Sequence, residues 1–534
     1  MPKLPSLAPS RDARHEPTEG VVFAVYAPLG GDEALSRYPN VKQAPVHQQA
    51  LVLALQQVAA HGVNVSALVD LFDDDTYLVE IEAGKPKQMS IVSTWKQDMS
   101  TPQALAGFLG RVQHRFPCSA VVLSIEGHGG GFVPDIDFAR LTPASVTKWS
   151  AGGKSGSVRW IRSGTESRFE TDGGSPVLPM TSPELPMTSP ELPAGRMVMS
   201  TWGLGEALRR AIACGARRPA IINFANCFNA SVEHLHTVAL HADYATGYAN
   251  YDFYTAGQTY PQVFGNLERA GSASAEQLAR WFAAENGKVL EAKKNHPTVA
   301  ATVKLSCMEA VAKAIDKLAL ALTAALQPAN PLNRAAALGF IRDAAKAAQH
   351  YDTQQGFELA VPDQFMDLAS FAVQLLVFFP NGPVPDYVAV RDAAEAVKTA
   401  TAGTWQYGAW DRPWLDEQQI WDFRATHLGL NIFFPDPDLQ GRWDWRSPYY
   451  LSGRVDPKRP PAQRHVIDFL ANRGRASPPW VAFIKEYHRG FKFVGLRAAQ
   501  PPVFPIFNVP FKPKLDHPGG NGGNGGSGGK TGKR

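Results

Sequence analysis

The sequence predicts an α/β protein built on a mostly parallel sheet with helices on both faces. Three observations carry that expectation. Short apolar, β-branched runs alternate with helical stretches through the first half of the chain. Two of these runs, Ser119–Glu126 and Pro219–Ala225, are apolar almost throughout, as strands buried on both faces are. Each stops just before one reactive side chain: His128 in Glu126-Gly-His-Gly-Gly-Gly-Phe132, and Cys227 in Phe224-Ala-Asn-Cys-Phe-Asn229. The carboxyl edge of a parallel sheet is where such folds keep their chemistry.

The elements follow in order. Val21–Tyr26 is an apolar run closed by Pro28, a first core strand. A helical pattern from Pro45 to His61 leads into a strand from Val63 to Phe72, which ends in Asp73-Asp74-Asp75. Ser100-Thr-Pro-Gln supplies a cap and a first-turn proline for a helix reaching Arg115. After the His128 strand, residues 141–196 are rich in Gly, Ser, Thr and Pro and contain a tandem heptapeptide, Leu178–Glu184 and Leu185–Glu191. Such a stretch buries little and is expected as an exposed loop.

A helix from Leu204 to Ala213 then leads into the Cys227 strand. Ser231–Ala239 reads as helix, Ala242–Tyr248 as strand, and Tyr251–Tyr260 as an aromatic, pocket-lining loop. Alanine-rich helix is expected from Ser272 to Gln327 and from Asn333 to His350, and Leu428–Phe434 is strand-like. The expected organisation is a disordered stretch over 1–19, a catalytic domain over 20–265, a helical and mixed region over 266–515 that braces it, and a glycine-rich flexible tail over 516–534.

Bulk properties exclude several classes. A net charge of +4 on 534 residues gives no basis for nucleic-acid binding, and no apolar run reaches the length of a membrane span. Met1–Glu19 has no apolar leader core, so a cytoplasmic location is expected. Cys118, Cys214, Cys227 and Cys307 lack paired metal-ligand spacing and read as reduced thiols, the first, second and fourth as small buried hydrophobes. His234, His236 and His241 read as helix-surface residues, and no metal site is assigned. Asp73–Asp75 lacks a calcium-loop pattern and reads as a solvated strand end; Trp443, Asp444 and Trp445 read as loop packing.

A cysteine becomes a nucleophile when a base or positive field favours its thiolate, and a histidine on a neighbouring strand end supplies one. The helix beginning at Ser231 adds N-terminal amides that lower a thiol pKa. A His-Gly-Gly-Gly turn also serves serine hydrolases, but Gly-x-Ser-x-Gly matches only Gly525–Gly529 in the tail, so that reading fails. Alone, the first motif is equally a tight turn with a solvent-facing histidine, and a cysteine after an apolar strand is ordinarily core. Together they point to a base and a nucleophile.

With these residues in this order, the chain resembles the clostripain family of cysteine peptidases, in the caspase-like clan with gingipains, legumains and separases. The family's histidine turn resembles Glu126–Phe132, and its Phe-Asp-Ala-Cys-Leu-Met segment with a downstream Glu is similar to Phe224–Asn229 and Glu233. Asp98-Met-Ser-Thr-Pro-Gln-Ala-Leu-Ala-Gly-Phe108, Phe365-Met-Asp-Leu-Ala-Ser-Phe371 and Leu428-Gly-Leu-Asn-Ile-Phe-Phe-Pro435 resemble three further family motifs. The likeness spans about residues 20–487.

The resemblance implies a caspase-like α/β/α sandwich, with Cys227 as nucleophile, His128 as general base and acid, and an acyl-enzyme resolved by water. It implies oxyanion donors at the backbone N–H of Gly129 and Cys227. It implies a protein or peptide substrate and no cofactor for the chemistry, with calcium an option; it leaves the oligomeric state open. Cleavage of the 141–196 loop at Lys154, Arg159, Arg162, Arg168 or Arg196 would give a two-chain form, and an uncut insertion stands as the equal alternative.

The chain departs from the family pattern in its pocket. Where the family has an Asp that selects Arg or Lys, this chain has Ala225; where a second acid is expected, it reads Gly247-Tyr248-Ala249-Asn250. A buried cation left unpaired costs several kcal/mol. A neutral or apolar preference is therefore expected, with Ala225, Asn226, Tyr248, Asn250, Tyr251 and Asp252 around the substrate, Asp252 restoring a basic preference if its loop folds inward. A scaffolding relative without turnover is the alternative; retention of both His128 and Cys227 argues against it.

Overall fold

In chain order the described strands are β1 (Ser6–Leu7), β2 (Val21–Pro28), β3 (Asn64–Asp70), β4 (Thr76–Ile81), β5 (Met89–Trp95), β6 (Ala120–Glu126), β7 (Ile221–Ala225), β8 (Tyr244–Tyr248), β9 (Ser272–Ala273), β10 (Ala300–Lys304), β11 (Phe365–Asp367), β12 (Trp405–Tyr407) and β13 (Asn431–Phe433). They come from a computed structural model that describes residues 4–8, 19–31, 33–40, 42–72, 75–95, 97–127, 129–135, 199–250, 252, 254–292, 298–327, 331–351, 365–407, 429–434, 450, 465–471 and 477–490. His128, Tyr251, Asp73, Asp74, Trp443–Trp445, the 141–196 segment and the tail lie outside the described residues.

One sheet runs in the order β12-β10-β8-β7-β6-β2-β3-β4-β5. Its centre, β8-β7-β6-β2-β3, is parallel. The flanking strands β10 and β12 on one side, and β4 and β5 on the other, are antiparallel. This is the mixed α/β fold with a parallel-centred sheet that the sequence predicts.

Alternation within β2 shows how both faces are covered. Val21, Phe23 and Val25 pack with apolar residues of the helices Ala50–Ala60, Tyr260–Ala270 and Ala275–Ala292. Val22, Ala24 and Tyr26 pack with those of Pro102–Arg115 and Thr201–Ala213. Successive strand side chains point to opposite faces, so a strand apolar at every position must be covered twice. The first of those second-face helices opens as its residues require: Thr101 caps it by accepting from Ala104 N, with Pro102 in the first turn. A further layer of helices, Met308–Ala325, Pro331–Ala347, Leu368–Phe378, Pro385–Thr401 and Pro479–Gly490, shares that face's apolar core.

The chain steps from β2 outward to β3, then crosses back to place β6, β7 and β8 on the other side of β2. Such a reversal opens a crevice at the carboxyl ends of the strands. Strands β6 and β7 are direct neighbours, with Glu126 opposite Ala225, so the segments leading to His128 and Cys227 run side by side.

Several expectations are corrected. The stretch expected as helix from 272 to 327 is interrupted by β10, Ala300–Lys304, where Thr302 and Val303 favour strand and which pairs along its length with the otherwise open edge of β8. Beyond residue 265 the helix Ala275–Ala292 covers the sheet and β10 and β12 extend it. Cys118, Cys214 and Cys307 are exposed rather than buried; Cys214 and Cys307 cap helix ends, and Cys118 precedes β6. His234 and His236 are buried, since their helix Val232–Val238 is covered by Phe224 on one side and Phe469 on the other.

Candidate active site

Beyond β7 the chain turns sharply. Phe228 takes a left-handed backbone conformation, φ 61°, which costs a bulky residue about 1–3 kcal/mol and persists only where its surroundings impose it. Here they do. Phe228 N donates to Asn250 O at 2.9 Å, its carbonyl accepts from Asn431 Nδ2 at 3.0 Å, and its ring stacks on Phe365 at 5.3 Å. The next helix, Val232–Val238, is capped by Ser231, whose hydroxyl accepts from His234 N at 3.1 Å.

Cys227 stands at the start of this turn, 9% exposed, its Sγ donating to Asp252 O at 3.5 Å. The loop after β6 lies directly against it. A Cβ built on Gly129 would stand 1.9 Å from Cys227 O and 2.7 Å from Cys227 N, so only glycine fits there. The two residues expected to donate to the oxyanion thus share one place. Gly131, with φ +58°, lies equally close to the Phe365 ring.

A small pocket of about 10 Å³, room for about one water, lies beside the turn, lined among others by Glu126, Ala225, Tyr248, Asp252, Tyr260 and Asn286. Glu126 ends β6 and accepts from Ser124 Oγ at 2.7 Å and from Tyr260 Oη. Burial outweighs those bonds and pushes its carboxyl up to about 7. Asp252 Oδ1 accepts from Asn286 Nδ2 at 2.9 Å, and the same amide reaches Tyr248 Oη at 2.7 Å.

Of the residues expected around substrate, Ala225, Tyr248 and Asp252 line this pocket. Asn226 instead donates to Ile125 O at 3.1 Å and accepts from Asn229, knitting β6 to the turn. Asn250 is buried, its Oδ1 accepting from Val299 N at 2.6 Å, so it holds the approach to β10 instead of facing the pocket. Glu126 is the pocket residue the sequence reading missed. Its signal was a carboxylate closing an otherwise apolar strand two residues before the histidine.

Two later motifs meet behind the nucleophile. Strands β11 and β13 pair antiparallel, Asp367 opposite Asn431. Asp367 Oδ1 caps Ser370 N at 2.7 Å, while its Oδ2 accepts from Gly429 N at 2.9 Å and Tyr351 Oη at 2.7 Å. Burial raises this carboxyl to about 6. Glu233, also shifted upward by burial, accepts from Phe433 N at 3.0 Å and Tyr450 Oη at 2.8 Å. His234, desolvated beside it, is lowered to about 3 and stays neutral. Among the described residues, no three His, Cys, Asp or Glu side chains converge as metal ligands, and no helix is long and apolar enough to cross a membrane.

No family model matches the chain, and no curated protein matches it by sequence. Solved structures do. A secreted C11 cysteine protease from Bacteroides thetaiotaomicron, in complex with an irreversible peptide inhibitor, aligns over 77% of this chain and 91% of its own at 14% identity, TM-score 0.46. An inactive zymogen C11 protease from Parabacteroides distasonis aligns over 80% and 96% at 12% identity, TM-score 0.45. A clostripain from Bacteroides thetaiotaomicron, in complex with a peptide inhibitor, aligns over 44% and 86% at 13% identity, TM-score 0.29. The chain is thus similar in structure to C11, or clostripain-like, cysteine proteases.

Proposed function

We propose that the protein is a cysteine endopeptidase working through Cys227 and His128. The observation that carries this reading is the meeting of Cys227 with Gly129 at adjacent strand ends, beside a small recess lined by Glu126, Ala225, Tyr248 and Asp252. In the proposed reaction His128 accepts the thiol proton and the thiolate adds to the scissile carbonyl. The oxyanion faces the N–H groups of Gly129 and Cys227. As the C–N bond breaks, His128 returns the proton to the leaving amine. Water then hydrolyses the thioester and restores the thiol.

The pocket bears on selectivity. Two carboxylates line it, yet Glu126 holds its proton near neutrality and Asp252 is engaged by Asn286. The pocket therefore serves both classes: it accepts neutral side chains when Glu126 is protonated, and cationic ones gain affinity from Asp252, whose loop folds inward, and from Glu126 as it ionises. We further propose self-cleavage within 141–196. Calcium belongs to the test only, because Asp73 and Asp74 lie outside the described residues and no step above needs a cation.

Intact-mass analysis of wild type and Cys227→Ala, with and without calcium, tests this reading. Cleavage between 141 and 196 in wild type alone is expected, with peptide hydrolysis lost in the variant. Equal peptide hydrolysis by both proteins would overturn it. Hydrolysis by neither would favour the scaffolding alternative.

A further inference from the structure

The Cys227 turn is completed by a residue two hundred positions away. Asn431, on β13, is fully buried. Its Nδ2 donates to Phe228 O at 3.0 Å and to Ala249 O at 2.8 Å, while its own backbone N donates to Ala230 O at 3.0 Å. One amide therefore ties the carbonyl just after the nucleophile to the carbonyl just after β8. Both acceptors are carbonyls, so the amide orientation is forced: the reversed one would set its oxygen against two others. Asn431 is itself held, because β13 pairs with β11 and Phe433 N donates to Glu233.

We infer that Asn431 is the positioning residue of the nucleophile: its side-chain amide clamps Phe228 O to Ala249 O and so fixes where the Cys227 thiol points. The inference rests on the peptidase reading for its kinetic consequence and on the hydrogen bonds alone for its structural one. Phe228 is held left-handed through both of its peptide units, on one side by Asn250 O and on the other by Asn431. Without the clamp the strained residue relaxes, and Cys227, bonded directly to it, moves with it. Asn431 touches no reacting atom; it acts through the turn.

The distinguishing comparison is Asn431→Asp against Asn431→Ser in the full chain. Aspartate has the same shape without a donor and sets an anion against two carbonyl oxygens; serine keeps one donor. Three readouts are taken: kcat and KM on a peptide substrate, the alkylation rate of Cys227 by iodoacetamide followed by peptide mapping, and the melting temperature. For the Asp variant kcat is expected to fall about 10- to 100-fold with KM within about twofold, since displacing a reacting group by about 1 Å has that scale of effect. Cys227 alkylation should fall in parallel, and the Ser variant should lie between Asp and wild type.

A folded Asp variant with kcat and alkylation within about threefold of wild type overturns the inference, and so does a loss confined to KM. Should the Asp variant fail to fold, the Ser variant decides on the same terms: slower alkylation and lower kcat at unchanged KM support the clamp, and wild-type values overturn it. If Cys227→Ala hydrolyses peptide normally, the peptidase reading falls while the alkylation rates still judge Asn431.

Discussion

The pocket and the nucleophile turn stand side by side, yet the chain builds them over very different separations. The pocket residues Glu126, Ala225, Tyr248, Tyr260 and Asn286 come from the central strands and the helices covering them, and Asp252 from the loop that follows β8. The turn is held from far along the chain. Phe365 packs on Phe228, Asn431 reaches back 203 residues, and Tyr450 meets Glu233 across 217. Closing a longer loop costs little more entropy than closing a shorter one, so distance in sequence is no bar to a tight clamp. On the proposed reading selectivity belongs to the main sheet, while the geometry of the Cys227 turn depends on a late segment paired in a separate two-stranded sheet, β11-β13. Changes on either side should separate kcat from substrate preference.

The largest effect is expected where the two sides touch. Gly129→Ala inserts a methyl group into the space occupied by the Cys227 backbone. Either the β6 loop or the nucleophile turn must retreat, and the two proposed oxyanion donors separate. A loss of about 100- to 1,000-fold in kcat is expected, the scale of one missing donor. Circular dichroism should show the fold retained, because the clash lies at the sheet's edge. Activity within threefold of wild type would mean the contact is incidental and the two regions are less coupled than their packing implies.

Glu126→Gln acts on the pocket alone. Over pH 6 to 8 the wild-type preference for Arg over a neutral residue of similar size should rise roughly tenfold or more as Glu126 ionises; in the variant it should stay flat, with hydrolysis after the neutral residue little changed. Stability carries a second signature. Between the ordinary carboxylate value and about 7, the folded chain keeps a proton that the unfolded chain has released. Stability from this group therefore falls as pH rises through that window and levels off above it. Melting temperatures between pH 5 and 8 should decline more in wild type than in the variant. Parallel declines would place the titrating group elsewhere, Asp367 and Glu233 being the other buried carboxyls shifted upward.

The same division separates what the sequence disclosed from what it hid. Strands β2, β3, β6 and β7 were legible because buried parallel strands concentrate apolar, β-branched residues in short runs. Thr101 and Pro102 marked their helix by cap chemistry alone. Strands β4 and β5, Thr-Tyr-Leu-Val-Glu-Ile and Met-Ser-Ile-Val-Ser-Thr-Trp, lack a clean alternation of apolar and polar residues and gave no strand signal. Strand β10 hid in alanine-rich flanks. Glu126 carried a local signal as a carboxylate closing its strand, but its place in the pocket appears only once β6 is seen beside β7, with Tyr260 and Tyr248 around it. The burial of His234 and His236 depends on helices far along the chain covering theirs, and Asn431 could be read as a motif position but not as a clamp. What needs contacts between distant segments is written in no local pattern.

The smallest expected effect removes a confounder from the comparison. Cys118, Cys214 and Cys307 are exposed thiols at element ends, outside the site, and any alkylating reagent meets them first. Serine is nearly isosteric and well tolerated at helix caps, so the triple variant Cys118→Ser, Cys214→Ser, Cys307→Ser should change stability by no more than about 0.5 kcal/mol and leave kcat within twofold. In that background total alkylation reports Cys227 alone, and its rate becomes a direct measure of the turn, independent of the pocket. If the triple variant lost activity while Cys227 still labelled at the wild-type rate, one of the three surface thiols would act on substrate handling. The boundary drawn here between a local pocket and a remotely held nucleophile would then need a third region.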